Sequence, residues 1–391
     1  MDLLGVIVYP TALLSVAAIL FVLLEAFEVL VLPRRIERPL RLTVVFYRLA
    51  WRLWVAISHR VSPEKRDNFL SVFGPLSLLL LLTFWAAGLI FAFATLHWSL
   101  HSQISSPEKI PHWSTYLYLS ATTFITLGYG DVAPRSGLAR VMTDVEAGVG
   151  FGFLAIVIGY LPVLYGAFSK REVEIALLDA RASSPPSAGA LLSRIGSCPD
   201  LGDLAEMLRD YERWAAELLE SHLSYPVLMY YRSQHDRQSW LAALAAILDT
   251  CAFVIASLPD SKVAWQARMT FAMSRHASVD LALVFDIEPT PPDPDRLPSE
   301  RLEELRALLE ESGLSLKPAH EADERLTELR RLYEPYLHAL STQLQLALPS
   351  WMPNPDLPDN WQTSAWDRRD HFFQNVPEIA LPPAPLRRRE K

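Results

Sequence analysis

Apolar residues crowd into three long runs within the first 170 positions and afterwards recur at helical spacing among charges. The first run, Leu3 to Leu32, is uncharged until Glu25. The second extends from about Pro75 to His97, and the third from about Arg140 to Phe168, ahead of Lys170-Arg171. Each meets the need for about 20 mostly apolar residues in a membrane-crossing helix. Beyond Lys170 the period is helical: Leu201 to Ser221, Gln238 to Leu258, Val263 to Phe285, Ser299 to Glu311 and Glu321 to Leu348 are expected helices. Ser183-Ser184-Pro185-Pro186-Ser187-Ala188-Gly189 reads as a linker, and the proline-rich stretch from Pro289 to Pro294 as a break. Trp240 to Leu258 is apolar enough to be mistaken for another span. Asp249 at its centre and its many alanines favour the core of a helical domain.

Charge adds direction. The first run lacks a basic leader and a small-residue cleavage site, so it is a poor signal peptide. Arg34, Arg35, Arg38, Arg41, Arg48 and Arg52 follow it, which by the positive-inside rule puts the N-terminus outside and the C-terminal half in the cytoplasm. Arg41, Arg48, Arg52 and His59 share one helical face, with Phe46, Leu49, Trp51, Leu53, Trp54 and Ile57 over much of the rest. The segment predicts an amphipathic helix along the inner interface, arginines toward phosphates; a membrane-buried span is the alternative. Voltage sensing would need arginine at every third position within a span, which is not the pattern.

Before Lys170 there are 12 basic and 10 acidic residues, and from it onward 24 basic and 34 acidic, so the net charge of −8 comes from the second half. Such a balance argues against nucleic acid as a partner. Cys198 and Cys251 have no metal or disulfide spacing and are expected to be reduced thiols. His222, His235, Asp236, Asp249 and Cys251 match no ligand motif, and no dinucleotide fingerprint, phosphate loop, nucleophile elbow or zinc motif is found. The chain is therefore not expected to be an enzyme or to carry a cofactor.

Between the second and third runs lies Thr126-Leu127-Gly128-Tyr129-Gly130-Asp131. A filter that replaces the water around an ion needs successive carbonyls aimed at one axis. Extended backbone alternates them, so left-handed residues are required, and glycine adopts these at little cost. Gly128 and Gly130 supply that freedom. Thr126 adds a hydroxyl, Tyr129 can anchor the strand outward, and Asp131 places a carboxylate at the mouth. Ser114 to Phe124, free of Gly and Pro, predicts a short helix ahead of it.

From about residue 70 to 168 the chain resembles the pore module of tetrameric pore-loop potassium channels of the two-transmembrane-helix, prokaryotic type. The resemblance implies a homotetramer in which Thr126, Leu127, Gly128, Tyr129 and Gly130 form the selectivity filter. The carbonyls of Thr126, Leu127, Gly128 and Tyr129, with the Thr126 hydroxyl, would bind dehydrated K⁺, the permeant ion. Tyr118 and Asp131 would support the filter, with Thr122 where some relatives carry a glutamate. Leu127 replaces a commoner valine or isoleucine, and Ile125 stands where threonine is frequent.

The third run holds Gly148, Gly150, Gly152 and Gly159, with Pro162. Gly150, Gly159 and Pro162 are hinge candidates for gating; close packing of small residues explains the glycines equally well. Asp144 and Glu146 are expected to hydrogen-bond the pore helix or the filter's backing.

The resulting expectation is an all-α membrane protein. Residues 1–33 give an N-terminal span, 34–68 a basic interfacial segment, 69–169 the pore module and 170–190 a linker. A helical cytoplasmic domain at 191–350 and an extended or disordered tail at 351–391 complete it, in a multi-pass protein of the cell membrane. The expected function is passive K⁺ conduction, regulated or stabilised by the C-terminal domain. The alternative is a membrane-anchored signalling or scaffold protein that uses a channel-like module to oligomerise.

Overall fold

The computed structural model describes residues 3–32, 41–196, 201–235, 237–259 and 262–353, with side chains from Tyr9 onward. Arg34, Arg35, Arg38, Cys198, Asp236 and the tail from residue 354 lie outside the described residues.

The chain is an all-α membrane protein. In order come α1 (Leu3–Leu30), α2 (Leu42–Ser58), α3 (Pro63–Ser71), α4 (Phe73–Ser99), β1 (Ile104–Ser105), α5 (Trp113–Phe124), β2 (Ala133–Pro134) and α6 (Gly137–Ala182). Then follow α7 (Ala188–Gly196), α8 (Gly202–Ser224), a 3-10 turn (Pro226–Tyr230), α9 (Trp240–Ser257), α10 (Lys262–Val284), α11 (Ser299–Glu311), α12 (Ala319–Arg331) and α13 (Glu334–Leu344). Among the described residues, Tyr9–Leu30, Pro63–Ser99, Gly137–Ala182 and Trp240–Ser257 are long and apolar enough to cross a membrane.

The last of these does not behave as a span. All 18 residues of α9 are buried, inside a cluster built from α7, α8, α10, α11, α12 and α13. Asp249 at its centre is held by Arg296, whose Nη2 lies 2.6 Å from Oδ2, and by the Tyr333 hydroxyl, which donates to Oδ1 at 2.7 Å. Arg296 also donates to Glu334 at 3.2 Å and to the Pro349 carbonyl at 2.9 Å. Burial opposes the Arg296 charge, but the Asp249 carboxylate more than offsets this and keeps the group a cation. Burial, then the charges of Asp249 and Glu334, hold the Tyr333 phenol well above its ordinary value, so it remains a donor.

Three expectations are corrected. Residues 170–182, read as the start of a linker, continue α6, and Ser184, Ser187 and Ala188 are buried at the turn into α7. Ser184 Oγ donates to Asp179 there, so the serines satisfy buried groups instead of facing water. The helix expected over Glu321 to Leu348 is two, α12 and α13, because Pro335 in the first turn of α13 cannot donate to the preceding turn. A two-residue antiparallel ladder, Ile104 with Pro134 and Ser105 with Ala133, also adds sheet where none was expected.

The amphipathic segment after the first span forms α2. Its N-terminus is held by Glu25 of α1, which accepts from Thr43 N at 3.2 Å and Thr43 Oγ1 at 2.8 Å. A buried carboxylate beside unpaired helix N–H groups is favourable, and this accounts for the charge late in the first apolar run. The arginines and tryptophans of α2 and α3 do not all face outward. Trp51 Nε1 donates to the Gln343 carbonyl at 2.8 Å, Arg66 to Gln345 Oε1 at 3.1 Å, and Arg48 lies 3.5 Å from Asp286. Leu42, Val45, Leu49 and Leu53 remain exposed along the opposite stripe.

Candidate ion-conduction site

The helix α5 enters between α4 and α6 and stops at Phe124, and the chain returns as the candidate filter strand. Trp113 at its start packs on Phe91, ring centroids 5.1 Å apart, and Phe124 at its end on Phe153 at 6.0 Å. The ladder of β1 and β2 closes the loop, reinforced by Arg135 donating from its backbone N to the Gln103 carbonyl at 2.8 Å. Ser136 then caps α6 by accepting from Ala139 N at 3.2 Å.

The strand hangs from the last turn of α5. Thr126 N donates to the Thr123 carbonyl at 2.9 Å, and Leu127 N to the Thr122 carbonyl at 2.8 Å. Backbone φ is +60° at Thr126, +56° at Gly128 and +79° at Gly130. Every second residue is thus left-handed, which turns the ordinary side-to-side alternation of carbonyls toward one side. The sequence accounted for the two glycines. It did not single out Thr126, a β-branched residue in a region that such residues rarely occupy. Regular spacing by two was the signal that could have found it.

Residues 125–131 are exposed, and a side-chain carbon added at Gly128 or Gly130 would meet nothing within 4 Å. The C-terminal end of α5, which carries the negative end of the helix dipole, lies at the base of this strand. At the far end Tyr118 Oη donates to Asp131 Oδ2 at 2.9 Å. Thr122 Oγ1 is turned back to the Tyr118 and Leu119 carbonyls at 2.9 and 3.0 Å, so its backbone oxygen, not its hydroxyl, meets the strand.

The hinge candidates separate. Gly150 is buried, and a Cβ there would fall 2.0 Å from the Phe124 carbonyl oxygen, so glycine is required by close approach of the pore-helix end. Gly148, Gly152 and Gly159 have open space at that position. Pro162 lies inside α6, which continues unbroken to Ala182. Asp144 is exposed, whereas Glu146 is fully buried and in hydrogen-bond contact with Ser120 of α5.

Residues 78–164 match the protein family described as ion channel. This segment is similar to ion channels. The chain is 26% identical over 233 residues to the uncharacterized membrane protein YdjJ of Bacillus subtilis (strain 168), a match covering 58% of this chain and 67% of that protein. No solved structure matches.

The matched segment is not an isolated body. The inner helix α6 runs past it, and Arg171, buried, donates to the Leu228 carbonyl at 3.0 Å and the Tyr231 carbonyl at 2.8 Å. Tyr230 and Tyr231 of the same turn also reach the membrane half. Tyr230 stacks on Tyr47 at 5.6 Å and meets Phe73 at 5.1 Å, while Tyr231 packs on Phe168 at 5.7 Å. A Cβ at Gly74, in the first turn of α4, would lie 2.7 Å from the Tyr231 ring. Nothing in the sequence marked this turn, because its partners are 57 to 60 residues away or more.

The polar residues weighed as a ligand site are not brought together. Asp249 belongs to the Arg296 cluster, His222 adjoins Arg171, His235 is exposed, and Cys251 is buried with its thiol pushed up by burial. Among the described residues no group of three or more His, Cys, Asp or Glu could hold a metal ion.

Proposed function

We propose that the protein is a potassium-selective channel of the cell membrane, a homotetramer to which each chain contributes one filter strand. Thr126, Leu127, Gly128 and Tyr129 present backbone oxygens to K⁺, with Gly130 completing the strand and Tyr118 and Asp131 bracing it. The reading is carried by the left-handed conformation repeated at Thr126, Gly128 and Gly130. One strand offers oxygens on one side only, and several copies about an axis surround a dehydrated cation. The exposure of the strand and of Val141, Val145, Phe151, Leu154 and Ile158 on α6 is in keeping with neighbouring subunits.

In this reading the N-terminus faces outward and the helical domain lies in the cytoplasm, where it acts on α6 through Arg171 and the turn at 226–231. Gly159 and Pro162 are the positions at which α6 would bend. The test is K⁺ against Na⁺ flux from purified protein in liposomes. K⁺ flux that exceeds Na⁺ flux and is lost in Gly128→Ala supports the proposal. Equal flux in wild type and variant removes it in favour of a module that only assembles a membrane-anchored scaffold.

A further inference from the structure

Glu146 is fully buried where α6 meets both α4 and α5, and its two oxygens have different surroundings. Oε1 contacts Ser120 Oγ of α5, and the same hydroxyl lies 2.8 Å from the Ile90 carbonyl of α4. A hydroxyl has one proton, and a backbone carbonyl can only accept. With that proton on Ile90, the contact with Glu146 is a hydrogen bond only when the carboxyl is the donor. Oε2 faces Nε2 of His97 on α4 at 3.9 Å, and neither atom has a hydrogen-bond partner. His97 is itself fully buried, and its Nδ1 lies 3.0 Å from Ser102 Oγ.

From α4 the titratable group facing the carboxyl is His97; from α5 it meets Ser120, which does not titrate in the accessible range. A bare carboxylate there would be stripped of water with one hydrogen bond to hold it, a strongly unfavourable state.

We infer that Glu146 is held as a neutral carboxylic acid, donating to Ser120 and through it tying α6 to the pore helix and the outer helix. Ser120 lies two residues before Thr122, whose carbonyl holds the amide of Leu127. Glu146 is therefore a positioning residue for the filter strand, acting at one remove. When the proton leaves to solution at the filter end, Ser120 has to turn its only hydrogen to the carboxylate. The Ile90 carbonyl then loses its partner across the helix interface.

The role in conduction rests on the channel reading above; the protonation state does not. The experiment uses the full-length protein in liposomes with two readouts. Infrared difference spectra of wild type against Glu146→Gln report the carboxylic acid directly. K⁺ flux across a pH series reports the function. Wild type is expected to show a protonated-carboxyl band absent from Glu146→Gln and to lose flux by about tenfold on alkalinisation, the scale of one buried hydrogen bond. Glu146→Gln, whose amide donates to Ser120 as the acid does, keeps the neutral-pH flux and flattens the profile. Glu146→Ala loses flux at every pH. Absence of the band, or an unchanged alkaline fall in Glu146→Gln, overturns the inference. A wild type without flux overturns the channel reading instead, and the band alone then decides Glu146. Should Glu146→Gln not fold, Ser120→Ala serves, since removal of the acceptor is expected to shift the same band.

Discussion

The guanidinium of Arg171 donates to the Tyr231 carbonyl at 2.8 Å, joining α6 to a turn that also packs on α4 and on α2. Arg171→Met keeps an apolar stem but removes the guanidinium, which lies over the Phe168 ring and donates to the carbonyls of Leu228 and Tyr231. The Leu228 carbonyl still accepts from Tyr231 N at 3.1 Å, so the loss falls on the Tyr231 carbonyl, at about 1–3 kcal/mol for a buried acceptor left unpaired. The variant is expected to melt earlier in detergent and, in liposomes, to separate pore opening from the state of the C-terminal domain. An unchanged melt and unchanged single-channel opening would show that this contact transmits nothing.

His222, beside that guanidinium, gives a pH dependence with a definite sign. Its Nδ1 donates to the Leu218 carbonyl at 2.7 Å, which leaves Nε2 as acceptor toward Arg171 at 3.4 Å. Burial, then the charge of Arg171, lower its pKa to about 3 from an ordinary 6.5. Between these values the unfolded chain binds the extra proton and the folded one does not, so stability rises with pH. The contribution is fully present above pH 6.5 and is lost progressively as pH falls toward 3. Acid denaturation curves of wild type and His222→Gln should converge at low pH, the variant having the smaller slope; parallel curves would refute the assignment.

Gly150 is predicted to be the intolerant glycine of the inner helix. Alanine there would place its Cβ 2.0 Å from the Phe124 carbonyl oxygen, a backbone atom that cannot rotate aside, and relief requires the end of α5 to move. Overpacking of this kind costs about 1–3 kcal/mol, and the displaced residues carry the strand at 126–130. Gly150→Ala should therefore lose both thermal stability and flux. Gly148→Ala, with nothing within 4 Å, should keep subunit stability to within about 0.5 kcal/mol. Thermal midpoints of the two variants side by side make the comparison.

Asp249 and Arg296 form a buried pair that breaks asymmetrically. Removing Asp249 leaves Arg296 with Glu334 as its remaining carboxylate, so the loss falls at or below the roughly 3–5 kcal/mol of a fully stranded buried charge. Replacing both Asp249 and Arg296 by apolar residues leaves Glu334 with Arg330 and is milder. Asp249→Leu alone is expected to unfold the helical domain at lower denaturant, with Asp249→Leu/Arg296→Met recovering much of the loss. A double variant no more stable than the single one would contradict this account.

How much was legible in the chain depended on the range of the interaction. The left-handed strand could be read because its chemistry is local: Gly128 and Gly130 announce such backbone without help from distant residues. The membrane runs could be read because a lipid-facing helix needs only length and apolarity. Trp51, Arg48 and Arg66 were legible as an amphipathic stripe but not as protein contacts, since a headgroup layer and the carbonyls and carboxylates of a neighbouring domain attract the same side chains. The serines and prolines at 183–189 look like any exposed connector. Only the fold shows Asp179 beneath Ser184, and the Trp351 carbonyl accepting from Gly189 N at 2.9 Å. Glu146 was expected against the pore helix, but its facing histidine on the outer helix was not.

The wholly enclosed helix α9 carries a consequence for biogenesis. As the nascent chain leaves the ribosome, this stretch is greasy enough to be offered to the insertion machinery, before α10 to α13, which complete its enclosure, have been made. Asp249, which later meets Arg296, is at that moment a lone acid that makes lateral escape into lipid unfavourable. One side chain thus serves twice, first as a sorting mark during synthesis and afterwards as the keystone of a finished domain.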